Sequence, residues 1–241
     1  MLALSLERIS QASNAPDDVR IFLDTCTDER LEEVAFVRDT YLPTAEIFRA
    51  GEHQKLLSGT WNILHSLQEG WRTGKEFIHF IEEDVLVARG YFDWHYETHN
   101  SGDYFVTCSR RCGRLPLDFY SNPGTCYRRD SLAKVIPHIC QAYFDNNQKY
   151  LDDTFPQFRG QDGVLDDGLI RKVCKANGNK VRCAEPAVAS HVGFRFYDKT
   201  NEYKNTGRNI EERISWIREF LSDIPKRKQQ DPRYLQDLET V

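Results

Sequence analysis

The sequence predicts an α/β fold, and three observations carry that reading. Helix-like and strand-like segments alternate from Leu2 to Ile81, as they do where helices cover a largely parallel sheet. The apolar run Phe77-Ile78-His79-Phe80-Ile81 stops abruptly at Glu82-Glu83-Asp84, the pattern of a strand buried on both faces. The chain has 241 residues, 40% hydrophobic and 29% charged, enough for one large α/β domain or two small ones. The expected architecture is a mostly parallel central sheet flanked by helices, with a C-terminal amphipathic helix.

Each element has a local reason. Leu2, Leu6 and Ile9 recur at helical spacing over residues 2–12. Asn14-Ala15-Pro16-Asp17-Asp18 reads as a turn, and Val19–Leu23 as a strand ended by Asp24. Thr27-Asp28 can cap a helix that buries Leu31, Val34, Ala35 and Val37 and runs to about Tyr41, before Pro43. A short strand over Ala45–Phe48 precedes a long helix from about His53 to Trp71, then the strand Phe77–Ile81. Tyr104–Cys108 and Thr125–Arg128 read as strands, the latter entered through the turn Ser121-Asn122-Pro123-Gly124. A helix from Asp130 to about Phe144 is weakened by Pro137. Residues 146–165 are polar and read as a loop. Asp166 opens a helix that closes at Asn177-Gly178. Val181–Cys183 and Val188–Ser190 are short strands. Asn209–Ile224 places Ile210, Ile214, Ile217, Phe220, Leu221 and Ile224 on one face, expected to pack on its own domain rather than on a membrane.

Composition narrows the function. Net charge is −5, which gives no global attraction to nucleic acid or anionic lipid. Seven cysteines at irregular spacing suggest neither a disulfide framework nor a zinc site, and are expected to be reduced. No apolar run approaches ~18 residues, so no membrane helix is expected. The N-terminus carries Glu7 and no basic lead, unlike a signal peptide. These features predict a cytoplasmic protein.

Four groups of residues carry chemistry. Glu82-Glu83-Asp84 sits at a strand's carboxyl end, where α/β sheets bind ligands. Three adjacent acids there suit Mg²⁺ or Mn²⁺, which take oxygen ligands, or else a solvated acidic turn. Asp24-Thr25-Cys26-Thr27-Asp28 ends the first strand; its carboxylates could accept a nucleobase N–H, or Asp28 could serve the helix start. Asp166-Asp167 opens a helix after a polar loop, which suits either the helix dipole or a general base. His191 follows a strand and precedes Val192-Gly193; it reads as a metal ligand or a structural histidine.

In this order the set resembles the glycosyltransferase A fold, a Rossmann-like sheet, and particularly the inverting family 2 type. The likeness covers about residues 2–195. It implies a catalytic domain over 1–200 and a helical extension over 201–241 packed on it. Glu82-Glu83-Asp84 resembles the DxD-type element, with Asp84 the main metal ligand, Glu82 a second one and Glu83 on the nucleotide side. Asp24 through Asp28 resembles the Asp-x-x-Ser/Thr-Asp turn that holds the nucleotide base, and Asn62 the asparagine of the helix before the metal strand. Asp166-Asp167-Gly168-Leu169-Ile170-Arg171 resembles the Glu-Asp-x-x-Leu-x-x-Arg helix, which makes Asp167 the base with Asp166 beside it. His191 resembles the C-terminal histidine that reaches the metal. In one respect the chain departs: the family opens with a strand before the first helix, and this sequence begins at the helix.

The resemblance implies transfer of a sugar from a nucleotide-diphosphate sugar, such as a UDP-sugar, with Mn²⁺ or Mg²⁺ as cofactor. The acceptor would be a saccharide, a protein or DNA. Arg110-Arg111 with Arg114, Arg128-Arg129, and Arg195 with Lys199 and Lys204 form basic clusters, either solvated surface or a grip on phosphates. His191-Val192-Gly193-Phe194-Arg195-Phe196-Tyr197 resembles a segment of phage-type transferases that modify hydroxymethylated pyrimidines in DNA. Two other readings stay open: a non-catalytic nucleotide- or carbohydrate-binding module, and a nucleotidyltransferase. The latter should carry a Gly-rich phosphate loop near the N-terminus, and the sequence has none.

Overall fold

The computed structural model describes residues 1–50, 58–111, 116, 118–122, 124–191, 211–212, 214–215 and 218. The fold is mixed α/β. Helix α1 (Leu2–Gln11) leads to β1 (Arg20–Leu23), α2 (Asp28–Tyr41), β2 (Glu46–Arg49) and α3 (Ser58–Arg72). Strands β3 (Phe77–Phe80) and β4 (Val85–Val87) follow, then α4 (Tyr91–Ser101), β5 (Tyr104–Cys108) and β6 (Thr125–Arg128). Helices α5 (Arg129–Val135), α6 (Gln141–Asp145), α7 (Asn147–Thr154) and α8 (Asp166–Ala176) precede β7 (Lys180–Cys183) and β8 (Ala189–His191).

The sheet differs from the expected mostly parallel one. Among the described residues there are three small sheets: β1-β2, the four-stranded β3-β6-β5-β7, and β4-β8. Only β1·β2 and β5·β7 run parallel; β3·β6, β5·β6 and β4·β8 are antiparallel. The reason is connectivity. Among the described residues between β5 and β6 there is no crossover helix, and β6 returns alongside β5 and inserts between it and β3. No described strand lies between β1 and β3. Each is the edge of its own sheet, and both line a cleft of about 970 Å³. Helix α3 spans the two edges: Asn62 Nδ2 donates to the Phe22 carbonyl of β1 at 3.3 Å, and Gly70 packs against Ile78 of β3.

Two apolar cores support this frame. One packs α3, α5 and α8 against the four-stranded sheet, through Leu64, Leu67, Leu132, Leu169 and Ile170. The other joins α1 and α2 to β1, β4 and α4, through Leu6, Ile9, Val34, Val37 and Phe92. Ile214 also packs against this second core, and Arg218 donates to Glu7 at 2.8 Å. Most of the expected 209–224 helix and the extension over 201–241 lie outside the described residues. So do residues 53–57 of the expected His53–Trp71 helix.

Some boundaries moved for clear reasons. Pro137 breaks the expected long helix into α5, a 3₁₀ turn over Ile136–His138, and α6. The polar stretch read as a loop contains α7, capped by Asn146, whose side chain accepts from Lys149 N at 3.0 Å. Helix α4 is the largest element that apolar periodicity does not reveal. Its buried face is Tyr91, His95 and His99, four residues apart, with Phe92. These histidines meet β5 and β6. His95 Nδ1 lies 2.6 Å from Thr107 Oγ1, and His99 Nε2 lies 3.1 Å from the Cys126 carbonyl. Beside them, His79 Nε2 lies 3.6 Å from Cys126 Sγ.

Burial holds His79 down to about 3, with nearby His99 adding to the effect, and it lowers His95 and His99 as well. The native protein therefore keeps His79 neutral where the unfolded chain takes a proton. Below about pH 6.5 the unfolded state binds more protons, so stability falls with pH until about pH 3. At pH 5 His79 alone costs about 2 kcal/mol. A His79→Phe variant, its ring set among Tyr91, Phe92 and Tyr96, should lose that much less stability between pH 7.5 and 5 in urea titrations. Carboxylates titrating in the same window are common to both proteins and cancel. Parallel stability–pH curves would refute the assignment.

Candidate metal and transfer site

The site begins where β3 ends. After Phe80 the chain leaves the four-stranded sheet and turns, with Val85 N donating to the Glu82 carbonyl at 3.0 Å. The turn places Glu82 and Asp84 side by side. Strand β4 then pairs with β8 in a register that sets Val85 opposite His191. One ladder position thus delivers a histidine 107 residues away to Asp84. His191 Nε2 lies 3.2 Å from Asp84 Oδ2 and 3.8 Å from Glu82 Oε2. Ligand atoms of Glu82, Asp84 and His191 all fall within 4.8 Å of one another.

The electrostatics are those of crowded acids. Burial pushes Glu82 up to about 7, and Asp84, Glu83 and Asp166 add to the rise against the opposing pull of His191. Burial would lower His191, but the hydrogen bond and charge of Asp84, with Glu82, outweigh it and hold the imidazole above its ordinary value. Asp84 is 6% exposed, and its Oδ1 is buried without a hydrogen-bond partner. A buried, unpartnered carboxylate oxygen beside a second acid and an imidazole is a donor set that fits a divalent cation.

The paired acids of α8 separate. Asp166 is buried; Oδ1 accepts from Thr60 Oγ1 at 3.0 Å, and Oδ2 accepts from Asn122 Nδ2 at 3.2 Å. The same Asn122 nitrogen donates to Glu82 Oε1 at 3.0 Å. Burial raises Asp166, reinforced by Asp167 and opposed by the Thr60 hydrogen bond. Asp167 faces outward and pairs with Arg171 at 3.3 Å. Thr60 and Asn122 escape sequence reading because a threonine at a helix start and an asparagine before a proline have cheap local explanations.

Among the expected nucleotide-binding residues, Asp24, Asn62 and Glu83 line the cleft beside Glu82. Asp28 does not; it lies in the first turn of α2 and its Oδ1 accepts from Arg49 at 2.7 Å. The cap of α2 is Thr27, which accepts from Arg30 N at 3.3 Å. The basic clusters largely serve packing. Arg128 donates to the His99 carbonyl and sits over Phe77, Arg129 donates to the Trp71 carbonyl and sits over its ring, and Arg111 pairs with Glu185. Arg114, Arg195, Lys199 and Lys204 lie outside the described residues, as does 192–197. Cys26, Cys108, Cys126, Cys140, Cys174 and Cys183 are free thiols. No helix among the described residues is long and apolar enough to cross a membrane.

The loop before α8 is tied to it. Lys172, 1% exposed, donates to the Gly163 carbonyl at 3.0 Å and to the Gln161 carbonyl, while Lys175 pairs with Asp162 at 2.6 Å. A Cβ at Gly168 would sit 2.5 Å from the Gly163 carbonyl group, backbone that cannot rotate away. Gly168→Ala should therefore destabilise by about 1–3 kcal/mol, seen as a lower melting temperature. An unchanged melting temperature would mean that the loop yields freely.

No protein-family profile and no curated protein matches the sequence. Among solved structures, the chain is similar to a cytidylyltransferase from Leptospira borgpetersenii serovar Hardjo-bovis, with 16% identity and a TM-score of 0.40. That match covers 66% of this chain and 62% of the other, so it spans less than two thirds of the neighbour.

Proposed function

We propose that this protein is a metal-dependent glycosyltransferase that moves a sugar from a nucleotide-diphosphate sugar, such as a UDP-sugar, to an acceptor hydroxyl. The observation that carries the reading is the Glu82-Asp84-His191 cluster, with Glu82 lining the cleft and Asp84 Oδ1 buried and unpartnered. Two carboxylates and an imidazole suit Mn²⁺ or Mg²⁺. When bound, such an ion supplies the positive charge that a departing nucleotide diphosphate needs.

The chain's own residues divide the rest. Asp84, Glu82 and His191 hold the ion. Asp24 and Asn62, on the cleft wall, orient the nucleoside, with Glu83 beside them. The cleft volume is in the ordinary range for such ligands, about 300–1,000 Å³. Asp167 takes the acceptor proton. Its side chain is 38% exposed, whereas Asp166 is 7% exposed with both oxygens engaged. A general base must meet a hydroxyl arriving from solvent, which favours the outer acid.

The test is a panel of nucleotide sugars with Mn²⁺ or Mg²⁺, scored by nucleotide release and by product mass on glycans, proteins and hydroxymethylated DNA. Sugar transfer to any of these supports the reading and names the acceptor. Donor binding without turnover would replace it with a binding module. Pyrophosphate release from a nucleoside triphosphate and a sugar phosphate would replace it with nucleotidyl transfer.

A further inference from the structure

Two carboxylates that face each other across a site repel unless something between them supplies positive charge or hydrogen-bond donors. Here that something is one amide. Asn122 Nδ2 has two hydrogens and two acceptors, Glu82 Oε1 at 3.0 Å and Asp166 Oδ2 at 3.2 Å. At the other end of the amide, Tyr120 Oη donates to Asn122 Oδ1 at 2.8 Å. Tyr120 Oη is itself 2.7 Å from Tyr127 Oη on β6. Ionised carboxylates only accept, so the amide nitrogen is the end that serves them.

The main chain around Asn122 is anchored independently. Ser121 N donates to Cys108 Sγ at 3.4 Å, Cys183 Sγ donates to the Phe119 carbonyl at 3.1 Å, and Arg171 donates to the Tyr120 carbonyl at 3.2 Å. Two strands and α8 thus hold the segment that presents the amide. The arrangement is more than a turn needs: a loop asparagine that only shaped the chain would bond to its own backbone.

We propose that Asn122 is a positioning residue that ties the metal-binding carboxylate Glu82 to Asp166 at the start of α8, so that occupancy of the cluster and placement of that helix end are coupled. The proposal rests on reading Glu82, Asp84 and His191 as a metal site. Through Asp166 the link reaches Thr60 on α3 and the neighbouring Asp167. Aspartate at 122 would put a third acceptor against two acids, and an apolar residue would leave both carboxylates unbridged.

The experiment uses the full chain and Mn²⁺ alone, titrated by calorimetry into wild type, Asn122→Leu and Asp84→Asn. Partners that orient metal ligands typically contribute roughly 10–100-fold to affinity, and Asn122→Leu should lose that much. Unchanged affinity in Asn122→Leu, with binding abolished in Asp84→Asn, would overturn the proposal. A second measurement separates it from the metal reading. In metal-free protein, the denaturation midpoints of Glu82→Gln, Asp166→Asn and the double variant should be non-additive, and the coupling should change sign or shrink in the Asn122→Leu background, where only the direct repulsion of the two acids is left. A loss of general packing would lower every midpoint without removing the coupling. If wild type binds no Mn²⁺, the metal reading fails, and this cycle alone decides whether Asn122 is the bridge. Additivity in the wild-type background would refute it.

Discussion

Asp84→Asn is expected to reduce metal-dependent transfer to below about 1% of wild type, because loss of even an outer-shell partner costs 10–100-fold and Asp84 would be a direct ligand. The geometry makes Asp84 the centre of the cluster. It is the more buried of the two carboxylates and lies closer to His191, at 3.2 Å against 3.8 Å for Glu82. Its Oδ1 has no hydrogen-bond partner to lose. Asp84→Asn also gives up the charge pairing of Oδ2 with His191 but relieves the repulsion of Glu82, so the metal-free variant should melt close to metal-free wild type, while the rise in melting temperature on adding Mn²⁺ disappears. That pairing separates a lost ligand from a damaged fold. Full activity in Asp84→Asn, or undiminished wild-type activity in excess EDTA, would end the metal reading.

Asp167→Asn is expected to lower the rate by roughly 10²–10⁴-fold, the span of a lost general base, with donor binding little changed. Its pairing with Arg171 is partly exposed, and such pairs contribute about 0–1 kcal/mol, so stability should hardly move. Arg171 remains held by the Tyr120 carbonyl and over the Phe119 ring at 4.3 Å. Asp166→Asn should behave differently, disturbing stability and metal affinity through Thr60 and Asn122. Single-turnover kinetics with separate donor-binding measurements distinguish the two. If Asp166→Asn removes the chemical step and Asp167→Asn turns over normally, the base is the inner acid.

Local sequence carries local physics, and it carries it well where the chain's own periodicity decides. The acid trio after β3, the acid pair opening α8 and the weak point at Pro137 are all visible without coordinates, since each depends on neighbours within one or two turns; that the helix breaks there is not. Helix α4 is not visible, because its inward face is built of Tyr91, His95 and His99 rather than aliphatic residues. The two histidines each meet one polar partner there, Thr107 and the Cys126 carbonyl on the facing strands. The mostly parallel sheet fails for a related reason. Alternation of helix and strand early in the chain says nothing about β6, whose direction follows from a loop return after β5.

By itself the sequence determined which residues have the chemistry for a metal-and-base site: Asp24, Glu82, Glu83, Asp84, Asp166, Asp167 and His191 are acids and a histidine at element ends. It also determined the α/β class. Only the tertiary structure decided which of them meet. The β4·β8 register brings His191 to Asp84 across 107 residues, the start of α8 turns Asp166 inward and Asp167 outward, and Asp28 is left bonded to Arg49 away from the cleft. It alone revealed Asn122 and Thr60. The reason is physical: a residue's type and local spacing set what its side chain can do, but ladder register and helix packing, made by contacts far apart in the chain, set what it can reach.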